Sequence, residues 1–201
     1  MTGPLEDVEE SWPVETSTDL YREKLPFALR ADVVRRPDHP DEDGFTRVVL
    51  EHPGAVVVLA ADDDERVLCL RQYRHPARRR FIELPAGLLD VAGEEPQAAA
   101  ERELTEEAGL RAGSWTSLGS TYSSPGISAE LVHYFLARDL ETADRGDFVA
   151  AHEEADMEVV WVPFDELLTA IREGRARDAP VVIAVLTARD RGLLGRVTPE
   201  G

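Results

Sequence analysis

Three glutamates on one short segment constrain this chain more than any other feature. Residues 95–108 predict a helix, with Pro96 suited to its first turn and Gly109 to the position just past its end. On that helix Glu103 neighbours Glu106 and Glu107, three and four residues on. Each like-charge pair costs about 0.2–0.5 kcal/mol in an isolated helix, and Glu103 has no Lys or Arg four residues later to offset it. The apolar positions Ala100, Leu104 and Ala108 fall on a different stripe and can pack inward. Taken as charge alone, the run also reads as a solvated helix face. A divalent cation would remove the repulsion. Carboxylate oxygens suit Mg²⁺, or alternatively Mn²⁺, and no set of His and Cys points to zinc.

The order of residues around the helix narrows the choice. Gly87 is followed by Glu94, and then by Arg102-Glu103-Leu104-Thr105-Glu106-Glu107-Ala108-Gly109-Leu110. This succession resembles the Nudix box. The family pattern has five residues between its first glycine and first glutamate, whereas six separate Gly87 from Glu94 here. From Glu94 onward the spacing matches, with seven residues before Arg102. An extra residue is tolerable in the loop, but inside the helix it would rotate the carboxylates off their stripe.

Upstream stand Arg71-Gln72-Tyr73-Arg74 and then Phe81-Ile82-Glu83-Leu84-Pro85-Ala86-Gly87. Arginine forks bind phosphate oxygens in pairs, so Arg71 and Arg74 are candidate diphosphate ligands. Arg78, Arg79 and Arg80 either extend this basic island or line a solvated edge strand. Together with Phe27–Arg30, Glu51–Gly54, Ser124–Glu130 and His152–Met157, these segments resemble the ADP-ribose pyrophosphatase branch of the Nudix family over roughly residues 25–190.

That resemblance implies metal held by Glu103, Glu106 and Glu107, with the backbone carbonyl of Ala86. It implies a catalytic set of Arg102, Glu107 and a late-loop glutamate, Glu153 or Glu154, between which the sequence does not choose. It implies substrate contacts from Arg71, Arg74, Glu83, Pro125, Gly126 and Glu130. The expected reaction is Mg²⁺-dependent cleavage of the ADP-ribose diphosphate to AMP and ribose 5-phosphate. Rival readings are another nucleoside diphosphate, such as a sugar nucleotide or NADH, and a non-catalytic sensor of such ligands. Members of this branch pair as homodimers through N-terminal strands. Residues 1–45 are therefore expected to form a small dimerising β segment and residues 46–201 the hydrolase domain. Trp12 and Phe27 are candidates either to cover an adenine or to pack in a core.

The rest of the chain predicts alternating strands and helices. Strands are expected at Phe27–Val34, Thr46–Leu50, Gly54–Ala61, Arg66–Tyr73, Phe81–Leu84, Ser114–Tyr122, Leu131–Ala137 and Met157–Val162. Asp62–Glu65 predicts a hairpin turn. Two last helices are expected at Phe164–Glu173 and about Pro180–Arg191. The class is α+β, an α/β/α sandwich with a mixed sheet.

With 40 acidic against 22 basic residues the formal charge is −18, which disfavours nucleic acid and anionic membranes as partners. Cys69 is the only cysteine, lies among Val67, Leu68 and Leu70, and reads as a core thiol. No apolar run approaches a membrane span and no leader pattern opens the chain, so a cytoplasmic location is expected.

Overall fold

The computed structural model describes residues 5–23, 26–39, 41–145 and 156–195. The chain divides into two compact units: residues 1–52 with 124–129, and residues 53–123 with 130–201.

The first unit is a three-stranded antiparallel sheet of β1 (Val14–Arg22), β2 (Ala28–Val34) and β3 (Phe45–Glu51), in that order. β1 is exposed along its whole length, including Val14, Leu20 and Tyr21. It was not anticipated, because its alternation is obscured by polar residues. β2 is pinned by a polar network. The buried carboxylate of Asp32 accepts from Ser17 Oγ at 2.6 Å and from Arg30 Nε at 3.0 Å, and Glu51 accepts from Arg22 at 2.6 Å and from Arg30. Residues 124–129 join this unit through Leu50, whose amide donates to Ile127 O at 2.8 Å. Trp12 meets Phe45 edge-on at 6.3 Å, and Phe27 stacks on His52 at 5.4 Å.

The second unit carries the remaining elements: β4 (Ala55–Ala60), β5 (Arg66–Arg74), β6 (Arg79–Glu83), β7 (Ala86–Leu88), α1 (Pro96–Ala108), β8 (Leu110–Tyr122), β9 (Leu131–Thr142), β10 (Glu158–Pro163), α2 (Phe164–Arg172) and α3 (Ala179–Asp190). They make one mixed sheet in the order β7-β4-β9-β8, with β4 and β9 parallel, and one antiparallel sheet in the order β10-β5-β6. β4 is apolar at every position, and successive side chains of a strand point to opposite faces. Val56, Val58 and Ala60 pack with Ala99, Ala100 and Leu104 of α1. Val57, Leu59 and Ala61 pack with Phe164, Leu167, Val181 and Val185 of α2 and α3. Helices thus cover both faces, as the sandwich reading expects.

One connection carries the chain between the two sheets. Asp62–Glu65 makes the expected hairpin turn: Asp62 Oδ1 accepts from the amides of Asp64 and Arg66 at 3.1 and 2.8 Å, the Asp62 amide donates to Arg66 O at 3.0 Å, and Ala61 and Val67 form an antiparallel bridge, beyond which the two strands part. β4 pairs with β7 and β9, and β5 with β6 and β10. β4, and β5 over Val67–Leu70, are apolar on both faces, so each is buried within its own sheet, and the turn passes the chain from one to the other. The short β7 was also missed, since three residues after a proline give no periodicity. Cys69 is fully buried, and burial pushes its thiol up to about 12, which leaves it an inert core group. Among the described residues no helix is long and apolar enough to cross a membrane.

Leu104 is fully buried in the middle of α1, whereas Glu101 on the same helix is exposed. Leu104→Ala is expected to lower the unfolding free energy by about 2–5 kcal/mol in urea titration. Glu101→Ala is expected to stay within about 0.5 kcal/mol.

Candidate active site

The site of the second unit is built on the end of β6, on β7, and on the face of α1 that looks toward them. β7 is fixed first. Val57 and Val56 of β4 pair with Ala86 and Gly87, and the Val58 amide donates to Pro85 O at 2.8 Å. This holds the Ala86 amide in place, and it donates to Glu107 Oε2 at 2.9 Å. Glu107 is only 8% exposed, so one of the three helix carboxylates is folded inward onto the strand instead of being solvated.

The other two turn to Arg102. Its Nη1 donates to Glu103 Oε1 at 2.6 Å and to Glu106 Oε2 at 3.2 Å. Its Nε and Nη2 hold the two oxygens of Glu94 at 3.2 and 3.1 Å. The repulsion expected within the stripe is therefore met by an arginine that stands four residues before Glu106, the spacing at which helical side chains meet, and also reaches its neighbour Glu103. Glu94 first, and then Glu103, hold the Arg102 guanidinium firmly protonated against the opposing effect of burial. The Glu103 carboxyl is shifted upward as well, which for an acid disfavours the charged form. Burial raises its pKa, and the nearby charges of Glu106 and Asp90 add to the rise, while Arg102 opposes it.

Gly87 lies directly beneath Glu103. A Cβ at residue 87 would fall 1.9 Å from the Glu103 carboxyl carbon, so a side chain there would fill the space the carboxylate now occupies. The six-residue spacing between Gly87 and Glu94 is absorbed by a turn in which the Glu94 amide donates to Val91 O at 3.1 Å, with Gly93 at φ +79°. Glu94 still reaches Arg102 and Gly87 still underlies Glu103.

Beside this group, Arg74 binds Glu83 through two donors, Nε at 2.9 Å and Nη2 at 2.7 Å. The Glu83 carboxylate is buried, and the Arg74 side chain is about half exposed. Glu83 first, and then the charges of Asp178 and Glu107, raise the pKa of Arg74. Arg71 does not join it. Three residues away on a strand it points to the other face, where its nearest acid is Glu158 at 3.9 Å. Arg80 bonds the Asp156 carboxylate and also donates to Asp156 O at 3.0 Å. Glu130 accepts from Ser123 Oγ at the mouth of the 124–129 loop. Pro125 and Gly126 belong to the first unit. Glu153 and Glu154 lie outside the described residues.

Among the described residues no three His, Cys, Asp or Glu side chains converge on one point. Arg102 and the Ala86 amide hold the acids instead. Yet two carboxylates already meet at one cationic atom, Arg102 Nη1, over a glycine cradle. The donors there are all hard oxygens, which is the chemistry that suits Mg²⁺ or Mn²⁺.

A family model for the NUDIX domain matches residues 50–185. The chain belongs to the NUDIX family. It is 45% identical over 161 residues to the ADP-ribose pyrophosphatase of Mycobacterium tuberculosis, covering 80% of this chain and 75% of that one. It is 36% identical over 146 residues to the ADP-ribose pyrophosphatase of Bacillus subtilis, covering 73% and 77%. A crystal structure of an ADP compounds hydrolase superposes with a TM-score of 0.73 at 22% identity, over 96% of this chain and all of the other, which is a likeness of fold.

Sequence reasoning missed one acid beside the NUDIX site. Asp178 caps α3, its Oδ2 accepting from the Val181 amide at 3.1 Å. Burial, reinforced by the charge of Glu83 and opposed by the cap bond and Arg74, pushes it up to about 6. The run Asp178-Ala179-Pro180 carries a legible cap signal, an Asp followed by a proline in the first turn. The folded state holds this proton more tightly than the unfolded chain. The contribution to stability is therefore complete below about pH 4 and lost as pH rises through about 6. Asn caps as well as Asp and carries no charge. Asp178→Asn is expected to melt higher than the native protein above pH 6, with the difference closing toward pH 4, when melting temperature is followed against pH.

Proposed function

We propose that this chain is a divalent-metal-dependent pyrophosphohydrolase that cleaves ADP-ribose to AMP and ribose 5-phosphate. The observation that carries the chemistry is the meeting of Glu103 and Glu106 at one cationic point above Gly87, with Glu107 tied to the Ala86 amide beside them. The substrate rests on likeness to the two ADP-ribose pyrophosphatases.

Glu103, Glu106, Glu107 and the Ala86 carbonyl would hold Mg²⁺, with Mn²⁺ as an alternative. When bound, the metal neutralises diphosphate charge and makes a coordinated water more acidic. Arg102 keeps Glu94, Glu103 and Glu106 gathered. Arg74 spends Nε and Nη2 on Glu83, and its Nη1 takes a phosphate oxygen of the substrate. Glu83 fixes the plane of that guanidinium. The oxygen of a water forms a bond to one phosphorus as that phosphorus loses the bridging oxygen. The water proton passes to a carboxylate, assigned to Glu153 or Glu154 with Glu107 as the rival base. Arg71, Pro125, Gly126 and Glu130 stay in the proposal as substrate contacts on the strength of the sequence resemblance.

The same reading makes residues 1–45 the dimerising segment and 46–201 the hydrolase domain. The exposed Val14, Leu20 and Tyr21 of β1 support it.

Turnover of ADP-ribose, ADP-glucose, NADH, diadenosine polyphosphates and dNTPs, with Mg²⁺ and with Mn²⁺, tests the proposal by chromatography of products. ADP-ribose is expected to be converted fastest, giving AMP and ribose 5-phosphate. Preference for another member would retain the chemistry and discard the substrate. Ligand binding with no metal-dependent product would favour the sensor reading. Glu107→Gln is expected to lose turnover on the order of 10²-fold or more while its melting temperature stays close to the native value. Native-like turnover by that variant would remove Glu107 from the site.

A further inference from the structure

The catalytic glutamates proposed above stand on the last turns of α1, where the helix itself is electrostatically negative. The final carbonyls of a helix have no partner within it, and the aligned peptide dipoles place about half a negative charge there. Helices commonly offset this with Lys or Arg in the last turn. α1 has none, and instead carries Glu106 and Glu107.

The missing cation comes from elsewhere in the chain. Beyond β9 the Ala143 amide donates to Gly109 O at 2.8 Å, which lays the following residues across the end of the helix. Arg145 Nη2 then donates to the backbone carbonyl of Glu107 at 2.6 Å, in a partly buried bond. Gly109 makes room for it. Its φ is +64°, and a Cβ at 109 would come within 3.1 Å of Arg145 Nε. The glycine is needed twice, once to turn the backbone and once to admit the guanidinium. Glu107 is thereby held at both ends. Its carboxylate is fixed by the Ala86 amide and its peptide carbonyl by Arg145.

We propose that Arg145 is a positioning residue for the metal-binding carboxylates, acting through the Glu107 backbone at the end of α1. The inference rests on the metal reading above. It has a consequence that electrostatics alone would reverse. Removing a cation near a metal site should by itself tighten metal binding, because like charges repel. If Arg145 acts by holding Glu107 in place, its loss must weaken binding instead.

Mn²⁺ binding followed by the loss of the free-ion electron paramagnetic resonance signal, without substrate, decides between them. Arg145→Ala is expected to bind Mn²⁺ about 10-fold more weakly, the scale seen when the support of a metal ligand is removed. Its kcat is expected to fall in step at fixed subsaturating metal, with KM for the nucleotide nearly unchanged. Arg145→Lys, which keeps a charged donor, is expected to recover most of the loss. Native or tighter Mn²⁺ binding by Arg145→Ala would overturn the proposal, and so would a fall in melting temperature with no change in Mn²⁺ binding. Should Arg145→Ala not fold, Arg145→Gln removes the charge and shortens the donor. The same weakening is expected of it, and native affinity in that folded variant would overturn the proposal equally. A native protein that binds Mn²⁺ but hydrolyses none of the nucleotides would defeat the proposed function while leaving this inference to the Mn²⁺ comparison. A native protein that binds no Mn²⁺ would defeat both.

Discussion

Strand β4 has no solvent face, and the second unit is arranged around that constraint. A strand apolar at every position needs cover on both sides, and β4 finds it in α1 on one and in α2 with α3 on the other. The same strand offers one edge to β9 and the other to β7. β7 is therefore set in register with the strand whose alternate side chains seat α1. The Ala86 amide and the Glu107 carboxylate meet because a single strand positions both of their supports. The site inherits its geometry from hydrophobic packing, which is rigid, and not from the acids, which repel one another.

The charge distribution follows the same logic at smaller scale. Three carboxylates on one stripe would fray an isolated helix. Here each is answered differently: Glu107 by a backbone amide, and Glu103 and Glu106 by the one guanidinium that also grips Glu94. Burial of Glu103 still disfavours its charge, and that is the unrelieved part of the arrangement. A protein carrying −18 overall gains nothing in stability from gathering acids, so the cluster is better understood as a cost accepted for what the oxygens can bind.

Much of this was legible in the sequence, and the limits have physical causes. The helix 95–108 is bounded by Pro96 and Gly109, the last helix by Asp178 and Pro180, and the strands 66–73 and 131–137 are marked by apolar runs, and the structure places elements there. β1 and β7 escaped, one because polar residues mask its alternation and the other because it is three residues long. The turn at Asp62–Glu65 is a hairpin turn as its residues suggest, but the pairing stops at Ala61 and Val67, and the turn alone does not tell that β4 and β5 go on to join different sheets. In the site, the sequence order picked out Glu94, Arg102, Glu103, Glu106, Glu107 and the Arg74–Glu83 neighbourhood. It could not separate Arg71 from Arg74 until strand alternation put them on opposite faces.

Arg102 and Arg145 serve the acidic helix in two different ways. Both are cations serving the same acidic helix, one from within it and one from 38 residues past Glu107. Helix statistics look for a basic residue three or four positions away; Glu103 has none after it, but Arg102 stands four residues before Glu106. Arg102 reaches Glu103 from the neighbouring position as well, and Arg145, three residues past the end of β9, brings a guanidinium to the helix end from outside the helix. An acidic stripe with a single local cation is thus no sign of instability by itself. Part of its compensation is tertiary, and tertiary groups can be displaced or retained as a site requires. Arg102 sits where a bound cation would compete with it for Glu103 and Glu106. Arg145 sits behind the helix on a backbone carbonyl, where no such competition arises. Physical position alone assigns the first to gathering the carboxylates and the second to holding the frame on which they stand.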